Sequence, residues 1–289
     1  HHDGFCLYPS RYTKYSVASS PWRAGKGDLV REVAAACRKH GLKFGVYLSP
    51  WDRHEPSYKD AKAYDSYYTR QVSELSSRYG ELVEFWVDGA GSEGHVYDWE
   101  RYIQALRDYQ PNTLLFSGTG FFKYGDIRWC GNEEGWTGED NWNVVDRHGY
   151  LRWRPQECDF PLRNGGWFWH PNAEHKLKPL KYLLDVYHRS AGYGAQMVIG
   201  IAPDNRGLVP ESDAARLKEF GDAVRKTYSN DLARKGRRTV TVVDAVRNSV
   251  DIEVAFPEPV TFDRTVSLEW LYAGQHVQNY QIQAMVNGA

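Results

Sequence analysis

The sequence predicts an α/β fold in which a (β/α) barrel is followed by a small antiparallel β-sandwich. Two observations support the barrel. Segments with helical periodicity alternate with short apolar runs along residues 28–228, and these runs lack the alternation of polar and apolar residues that a half-exposed sheet shows. A third supports the sandwich, because short β runs separated by turn residues replace this pattern from about residue 229. We therefore predict a barrel-like domain at 1–232, with a parallel sheet that is closed or open, and a β-sandwich domain at 233–289; that both are partial is implied by the resemblance described below.

The first two barrel units each consist of a helix followed by a strand. Apolar residues at helical spacing predict a helix over 28–40, with Asp28 as its N-cap, and a strand follows over 42–48. A longer helix over 61–79 leads into the apolar strand 82–87. Repeated units of this kind are typical of a parallel sheet, because parallel neighbours need a crossover connection.

The same pattern continues along the middle of the chain. A helix is predicted over 97–109 and a strand over 113–116, and another strand-like run begins at Ile127. The segment 135–171 is rich in Gly, Asn, Asp and Trp and is too long for an ordinary connection. We therefore expect it to be a functional loop above the catalytic face.

The last part of the chain completes both predicted domains. A helix over 177–190, an apolar strand over 197–201 and a helix over 211–228 extend the barrel. The sandwich is predicted from four short β runs, at 239–243, 250–254, 265–271 and 280–286.

Carboxylates follow two of the predicted barrel strands. Asp88 comes directly after the strand 82–87, and Glu133 and Glu134 follow the run that begins at Ile127. Barrel enzymes keep their chemistry at the carboxyl ends of the strands, so we expect Asp88 to be a nucleophile. Of the two glutamates, one is expected to be an acid and the other a hydrogen-bonded support. The chain also contains 11 Trp and 20 Tyr, whose rings suit the faces and hydroxyls of sugars. Strand-end carboxylates together with these aromatic residues favour a glycosidase.

Composition and motif spacing exclude several other classes of function. A formal net charge of −1 gives no electrostatic footprint for nucleic acid or an anionic membrane, so a neutral partner is expected. The four widely spaced cysteines and the scattered histidines match no zinc or other metal motif. We predict neither a metal nor an organic cofactor. No run of residues is long and apolar enough to span a membrane.

Together, five motifs resemble the α-L-fucosidases of glycoside hydrolase family 29. They are HHDGF at 1–5, the segment 25–54 that ends in WDRH, FWVDGA at 85–90, RWCGNEEG at 128–135 and GWFWHP at 166–171. The GNEEG and WDRH segments look most like the subfamily that prefers α-1,3/1,4-linked fucose in branched, Lewis-type glycans. The resemblance implies a barrel followed by a β-sandwich, and a retaining exo-glycosidase that acts on a fucosylated oligosaccharide or glycoconjugate.

Site residues follow from the resemblance position by position. Asp88 matches the nucleophile of the family, and Glu133 matches its acid/base in that subfamily. Four more residues match positions that line the fucose pocket: His1, His2, Tyr47 and Trp86. Trp167 or Trp169 is similar to the tryptophan that packs near the sugar, and the motif does not choose between them.

One departure from the family pattern concerns the extent of the chain. HHDGF lies well inside the family's barrel, so the resemblance implies that about two βα units are missing before His1 and that strands are missing after Ala289. The chain is then a fragment, or another chain supplies the missing strands, or the barrel is open. The alternatives to a fucosidase are a retaining glycosidase for another sugar and a catalytically impaired carbohydrate-binding protein. An extracellular or periplasmic location is expected.

Overall fold

The computed structural model describes residues 2–89, 94–117, 125–144, 153–244, 246 and 249–285. By their contacts the residues divide into two compact units. The first comprises His1–Asp159 and Ser190–Val198, and the second comprises Phe160–Arg189 and Ile199–Ala289. The sequence-based boundary between 1–232 and 233–289 remains a prediction.

A six-stranded sheet organises the α/β part of the chain. In chain order, which is also their order in the sheet, the strands are β1 (Val46–Tyr47), β2 (Glu84–Val87), β3 (Leu114–Ser117), β4 (Ile127–Trp129), β5 (Gln156–Pro161) and β6 (Gln196–Gly200). Each pair from β1–β2 to β4–β5 is parallel. The described residues thus form the curled sheet of a half-barrel, which confirms the α/β prediction without showing the eight strands of a closed barrel.

Five helices accompany this sheet in the described residues. They are α1 (Leu29–Lys39), α2 (Ala61–Arg78), α3 (Trp99–Arg107), α4 (Leu180–Arg189) and α5 (Glu211–Tyr228). All five were predicted from periodicity, and α1 has its predicted N-cap, since Asp28 accepts a hydrogen bond from the backbone N–H of Arg31 at 3.0 Å. No helix in the described part of the chain is both long and apolar enough to cross a membrane.

Helices α2 and α3 cover one face of β2 and β3. Phe85, Val87 and Leu115 are 1%, 6% and 1% exposed and belong to one core cluster with residues of both helices. Because side chains alternate along a strand, Glu84, Trp86 and Asp88 point to the opposite face. We call the helix-covered side the outer face and the opposite side the inner face.

The structure corrects the predicted loop over 135–171, because β5 lies within it. The strand sequence QECDFP carries two acidic residues and one amide, a composition that reads as a loop. Nevertheless Glu157, Cys158 and Asp159 are 4%, 0% and 5% exposed. Because polar side chains occupy one face of this buried strand, its sequence lacks the apolar run from which a buried strand is predicted.

The predicted strand 42–48 is also shorter than expected, because only Val46–Tyr47 pairs with β2.

The C-terminal region contains a two-stranded antiparallel hairpin of β7 (Arg237–Asp244) and β8 (Ser249–Ala255). The predicted strands at 265–271 and 280–286 are wrong over their described residues, where one 3-10 turn at Leu271–Ala273 is the regular structure. The reason is physical: Val242 and Ile252 are 64% and 56% exposed, so the described residues supply no second layer that covers the hairpin and supports further strands. A complete sandwich is therefore not formed by the described residues.

Candidate active site

Asp88 lies at the carboxyl end of β2 on the inner face, with a quarter of its side chain exposed. The Tyr47 hydroxyl, on the neighbouring strand β1, donates a hydrogen bond to Asp88 Oδ2 at 2.8 Å. His2 Nε2 lies 3.7 Å from the same oxygen. Three predicted site residues from distant parts of the sequence thus meet at one carboxylate.

The geometry also explains how His2 is held beside Asp88. Its Nδ1 lies 2.7 Å from Ser49 Oγ, its ring centroid lies 4.6 Å from that of Trp51, and its carbonyl accepts from the backbone N–H of Arg53 at 3.0 Å. Burial lowers the pKa of His2, while the charge of Asp88 opposes this shift. His1, the other predicted histidine, lies outside the described residues.

Gly4 of the HHDGF motif packs against a buried carboxylate. Asp52 is 5% exposed and accepts backbone hydrogen bonds from His54 and Glu55, each at 2.8 Å. A Cβ at position 4 would lie 2.3 Å from Asp52 Oδ1, and Gly4 has φ +75. Only glycine satisfies both constraints, so the HHDGF motif packs tightly against the WDRH loop.

Trp86 precedes Asp88 by two residues and shares its face of the strand. Its ring stacks on Phe116 of β3 with 3.6 Å between centroids and 10° between planes, and Tyr47 lies on its other side at 5.8 Å. The indole Nε1–H donates to Glu157 Oε2 at 2.9 Å. The side chain is therefore held by stacking and by a buried carboxylate.

Glu133 and Glu134 are both exposed on the loop after β4 and differ in their partners. Glu134 Oε2 accepts from Trp136 Nε1 at 2.8 Å, and its backbone N–H donates to Asn132 Oδ1 at 3.0 Å. Within the described residues no hydrogen bond holds the Glu133 carboxyl, whose charge acts on Asp159 instead. Glu134 is thus held by contacts within its own loop, whereas the Glu133 carboxyl has no such contact among the described residues.

Strand β5 adds two inner-face carboxylates that sequence reasoning missed. Burial, with the charge of Glu157, raises the pKa of Glu84 to about 9, and burial also raises the pKa of Glu157. Asp159 accepts from Trp129 Nε1 at 2.5 Å, and burial raises its pKa to about 6. The signal in the sequence was the alternation of Glu157 and Asp159, which places both on one face of a strand.

Trp167 and Trp169 belong to the second unit, and both are partly buried. The Trp167 ring lies directly on Gly200 at the end of β6, where a Cβ would come within 2.6 Å of Cζ3. Phe168 between them is 67% exposed. Which of the two tryptophans lies near a sugar remains a prediction.

Within the described residues, no cluster of three or more His, Cys, Asp and Glu side chains is arranged to bind a metal ion.

The comparisons with known proteins identify the family. The family model of the α-L-fucosidases matches residues 1–228. This chain belongs to the α-L-fucosidase family. It is 40% identical to α-L-fucosidase 1 of Arabidopsis thaliana over 255 residues, which cover 81% of this chain and 49% of that protein. The chain thus spans about half the length of the curated relatives it matches.

Solved fucosidase structures share the fold of this family member. A putative α-L-fucosidase from Bacteroides ovatus matches with a TM-score of 0.74 at 38% identity, covering 85% of this chain and 49% of that one. A family 29 fucosidase from Ruminococcus gnavus, solved in complex with fucose, matches with a TM-score of 0.75 at 30% identity, covering 83% and 57%. The predicted membership of glycoside hydrolase family 29 is confirmed, whereas the α-1,3/1,4 subfamily remains a prediction.

Proposed function

We propose that the protein is a retaining exo-α-L-fucosidase in which Asp88 is the nucleophile and Glu133 is the acid/base. The observation that carries this proposal is the Asp88 carboxylate at the end of β2, which accepts a hydrogen bond from Tyr47 and lies beside His2 in a fold shared with fucosidases. Burial, reinforced by Asp88, raises the pKa of Tyr47, so the phenol stays protonated and donates to Asp88. A carboxylate held in this way has a fixed orientation, as a nucleophile requires.

The sheet order supports a pairing of Asp88 with Glu133. Strands β2 and β4 are separated by β3 alone, so their axes lie about 10 Å apart at the usual strand spacing. Side chains that extend toward each other from these strand ends bridge part of that distance. A separation of about 5–5.5 Å between carboxyl groups is typical of retaining glycosidases, and the proposal requires Asp88 and Glu133 to lie this close together.

In this mechanism Asp88 attacks the anomeric carbon while protonated Glu133 gives its proton to the leaving oxygen. The leaving group departs with that proton, and the covalent bond to the sugar takes up the negative charge of Asp88. Glu133 then acts as a base and activates the water that releases fucose with its configuration retained. The two carboxyl groups carry out both steps without a metal or an organic cofactor.

Two kinds of finer assignment remain. Motifs support the linkage and the substrate, and the length of the relatives supports the full architecture. GNEEG and WDRH support terminal α-1,3/1,4-linked fucose in branched glycans as the substrate, and a fucosylated oligosaccharide or glycoconjugate as the partner. An extracellular or periplasmic location fits such a substrate. The relatives are about twice as long, and the hairpin exposes Val242 and Ile252, which supports a closed barrel and a complete sandwich in the whole protein.

The test uses the full-length protein and a panel of aryl glycosides that includes an aryl α-L-fucoside. We expect turnover of the fucoside alone, loss of at least about 10³-fold in Asp88→Asn, and no loss in the matched exposed control Asp222→Asn. NMR of the first product should show α-fucose. Preference for another sugar would support a different glycosidase, and fucose binding without turnover would support a carbohydrate-binding protein.

Linkage preference is tested separately on oligosaccharides. We expect release of fucose from α-1,3- and α-1,4-linked branched substrates at rates well above those for α-1,2-linked ones, measured by chromatography of the products. Faster cleavage of the α-1,2 linkage would contradict the subfamily assignment and leave the fucosidase assignment intact.

A further inference from the structure

A second pair of carboxyl groups lies on the inner face, below Trp86 and farther along the strand from the proposed nucleophile. Glu84 is two residues before Trp86 on β2, and it forms a side-chain hydrogen bond with Glu157 of β5. Glu157 is 4% exposed. Nothing in the proposed mechanism uses either group, although keeping an acidic pair inside a protein costs free energy.

The pair must hold a proton, because two carboxylates cannot donate to each other. The Trp86 indole donates to Glu157 Oε2 at 2.9 Å. The hydrogen bond between the two carboxyl groups raises the pKa of Glu84 and opposes the rise in the pKa of Glu157, so Glu84 is the donor and Glu157 the acceptor. The buried Glu84 Oε1 has no hydrogen-bond partner in the described residues, which would leave an ionised Glu84 unsupported. Glu84 is therefore the neutral acid, and Glu157 is a carboxylate that accepts from two donors.

This arrangement fixes the plane and rotation of the Trp86 ring. Stacking on Phe116 at 3.6 Å sets the plane of the ring but leaves it able to slide. The hydrogen bond to Glu157 anchors the indole edge, and hydrogen bonds to a charged acceptor are stronger than neutral ones. Trp86 lies two residues from Asp88, so a shift of its ring would change the shape of the proposed sugar site.

We propose that Glu157, with the proton carried by Glu84, is a positioning residue that holds the Trp86 indole as a wall of the fucose site. The inference rests on the proposed function for the identity of the sugar. Glu157 acts through Trp86 and does not contact the reacting atoms. Its loss should weaken sugar binding in the ground state and the transition state alike, which raises KM with little change in kcat.

The decisive experiment compares Glu157→Leu with Glu157→Gln in the full-length protein. Leucine removes the acceptor, and we expect KM for an aryl α-L-fucoside to rise about tenfold to a hundredfold. The glutamine amide oxygen still accepts from the indole, and its NH₂ group can donate to Glu84, so this variant should recover most of the affinity. A role in folding alone would lower the melting temperature and leave KM unchanged.

A double-mutant cycle connects the effect to the indole N–H. Trp86→Phe keeps a ring and removes the donor, so Glu157→Leu should raise KM little further in that background. Should Glu157→Leu not fold, Trp86→Phe alone still decides, because an unchanged KM in it would overturn the inference. Equal effects of Glu157→Leu in both backgrounds would overturn it as well.

Calorimetric titration with L-fucose separates this inference from the proposed function. If the wild type binds fucose without turning over the fucoside, the fucosidase proposal fails, and the affinity of Glu157→Leu still tests the positioning role. If the wild type neither binds nor cleaves, both are overturned. If it does both and Glu157→Leu keeps its KM and its affinity, the positioning role alone is overturned.

Discussion

The two faces of β2 have opposite compositions although their residues alternate along one short strand. The outer face buries Phe85 and Val87 against α2 and α3, whereas the inner face carries Glu84, Trp86 and Asp88. Outer-face side chains contribute stability through burial, and inner-face side chains carry polar groups that burial penalises. Stability and chemistry should therefore separate by odd and even positions along the same strand.

The largest effect is expected from the proposed acid/base at the end of β4. Glu133→Ala should slow fucosides with poor leaving groups about 10²–10⁴-fold more than it slows activated aryl fucosides, because only the former need a proton. Azide should rescue the variant and give an α-fucosyl azide, detected by NMR. Glu134→Ala is the matched control, since Trp136 already binds that carboxylate. The reverse pattern would move the assignment by one residue.

The outer face offers the complementary prediction. Phe85→Ala should lower the free energy of unfolding by about 3–5 kcal/mol, because Phe85 is 1% exposed within the core cluster. Its kcat/KM per folded molecule should stay near that of the wild type. Asp88→Asn should show the opposite result, with stability kept and turnover lost. Denaturant unfolding and active-site-normalised kinetics measure both, and equal losses in both variants would break the distinction between the faces.

A similar contrast is expected within the aromatic segment GWFWHP. Trp167 packs on Gly200, so Trp167→Ala should cost about 1–3 kcal/mol of stability through lost burial. Trp169→Ala should lower kcat/KM by a similar free energy if it is the tryptophan beside the sugar. Thermal melts and kinetics on each variant decide between them. Loss of stability in both with full catalytic efficiency would show that the two rings only fill space.

The smallest effect at neutral pH is expected from Glu84→Gln. Burial raises the pKa of Glu84 from 4.5 to about 9, so the folded protein keeps a proton that the unfolded chain loses above about 4.5. The stability from this group is thus complete below pH 4.5 and is lost as the pH rises through about 9. Melting temperatures from pH 5 to 10 should fall less in Glu84→Gln than in the exposed control Glu81→Gln. Parallel curves would show that Glu84 is not the group that titrates.

Sequence patterns predicted those elements whose burial is one-sided or uniformly apolar. Helices α2 and α3 were predicted because their apolar stripes pack against the outer face of the sheet, and β2 because Phe85 and Val87 dominate its short run. By contrast β5 was missed, since Glu157 and Asp159 are stabilised by indole partners on other strands, and a sequence window contains no information about those partners. The prediction of the last two C-terminal strands was wrong for a related reason, because a strand needs neighbouring strands as well as β-forming residues.

The candidate site divides in the same way. Asp88, Tyr47 and His2 were named from motifs, and the structure brings their side chains together. The choice between Glu133 and Glu134 depended on the motif, and their different hydrogen-bond partners appear only in three dimensions. The acidic pair below Trp86 was not predictable, because its members are 73 positions apart and meet only through the sheet order.

The two indole–carboxylate bonds to β5 also limit which length changes the chain can accept. Glu157 and Asp159 alternate with Cys158, so inserting or deleting one residue just before the strand would exchange its two faces. Both acids would then turn toward the covered outer side, and a thiol would replace them beneath the tryptophans. Single-residue insertions should therefore be tolerated far less before β5 than in exposed loops.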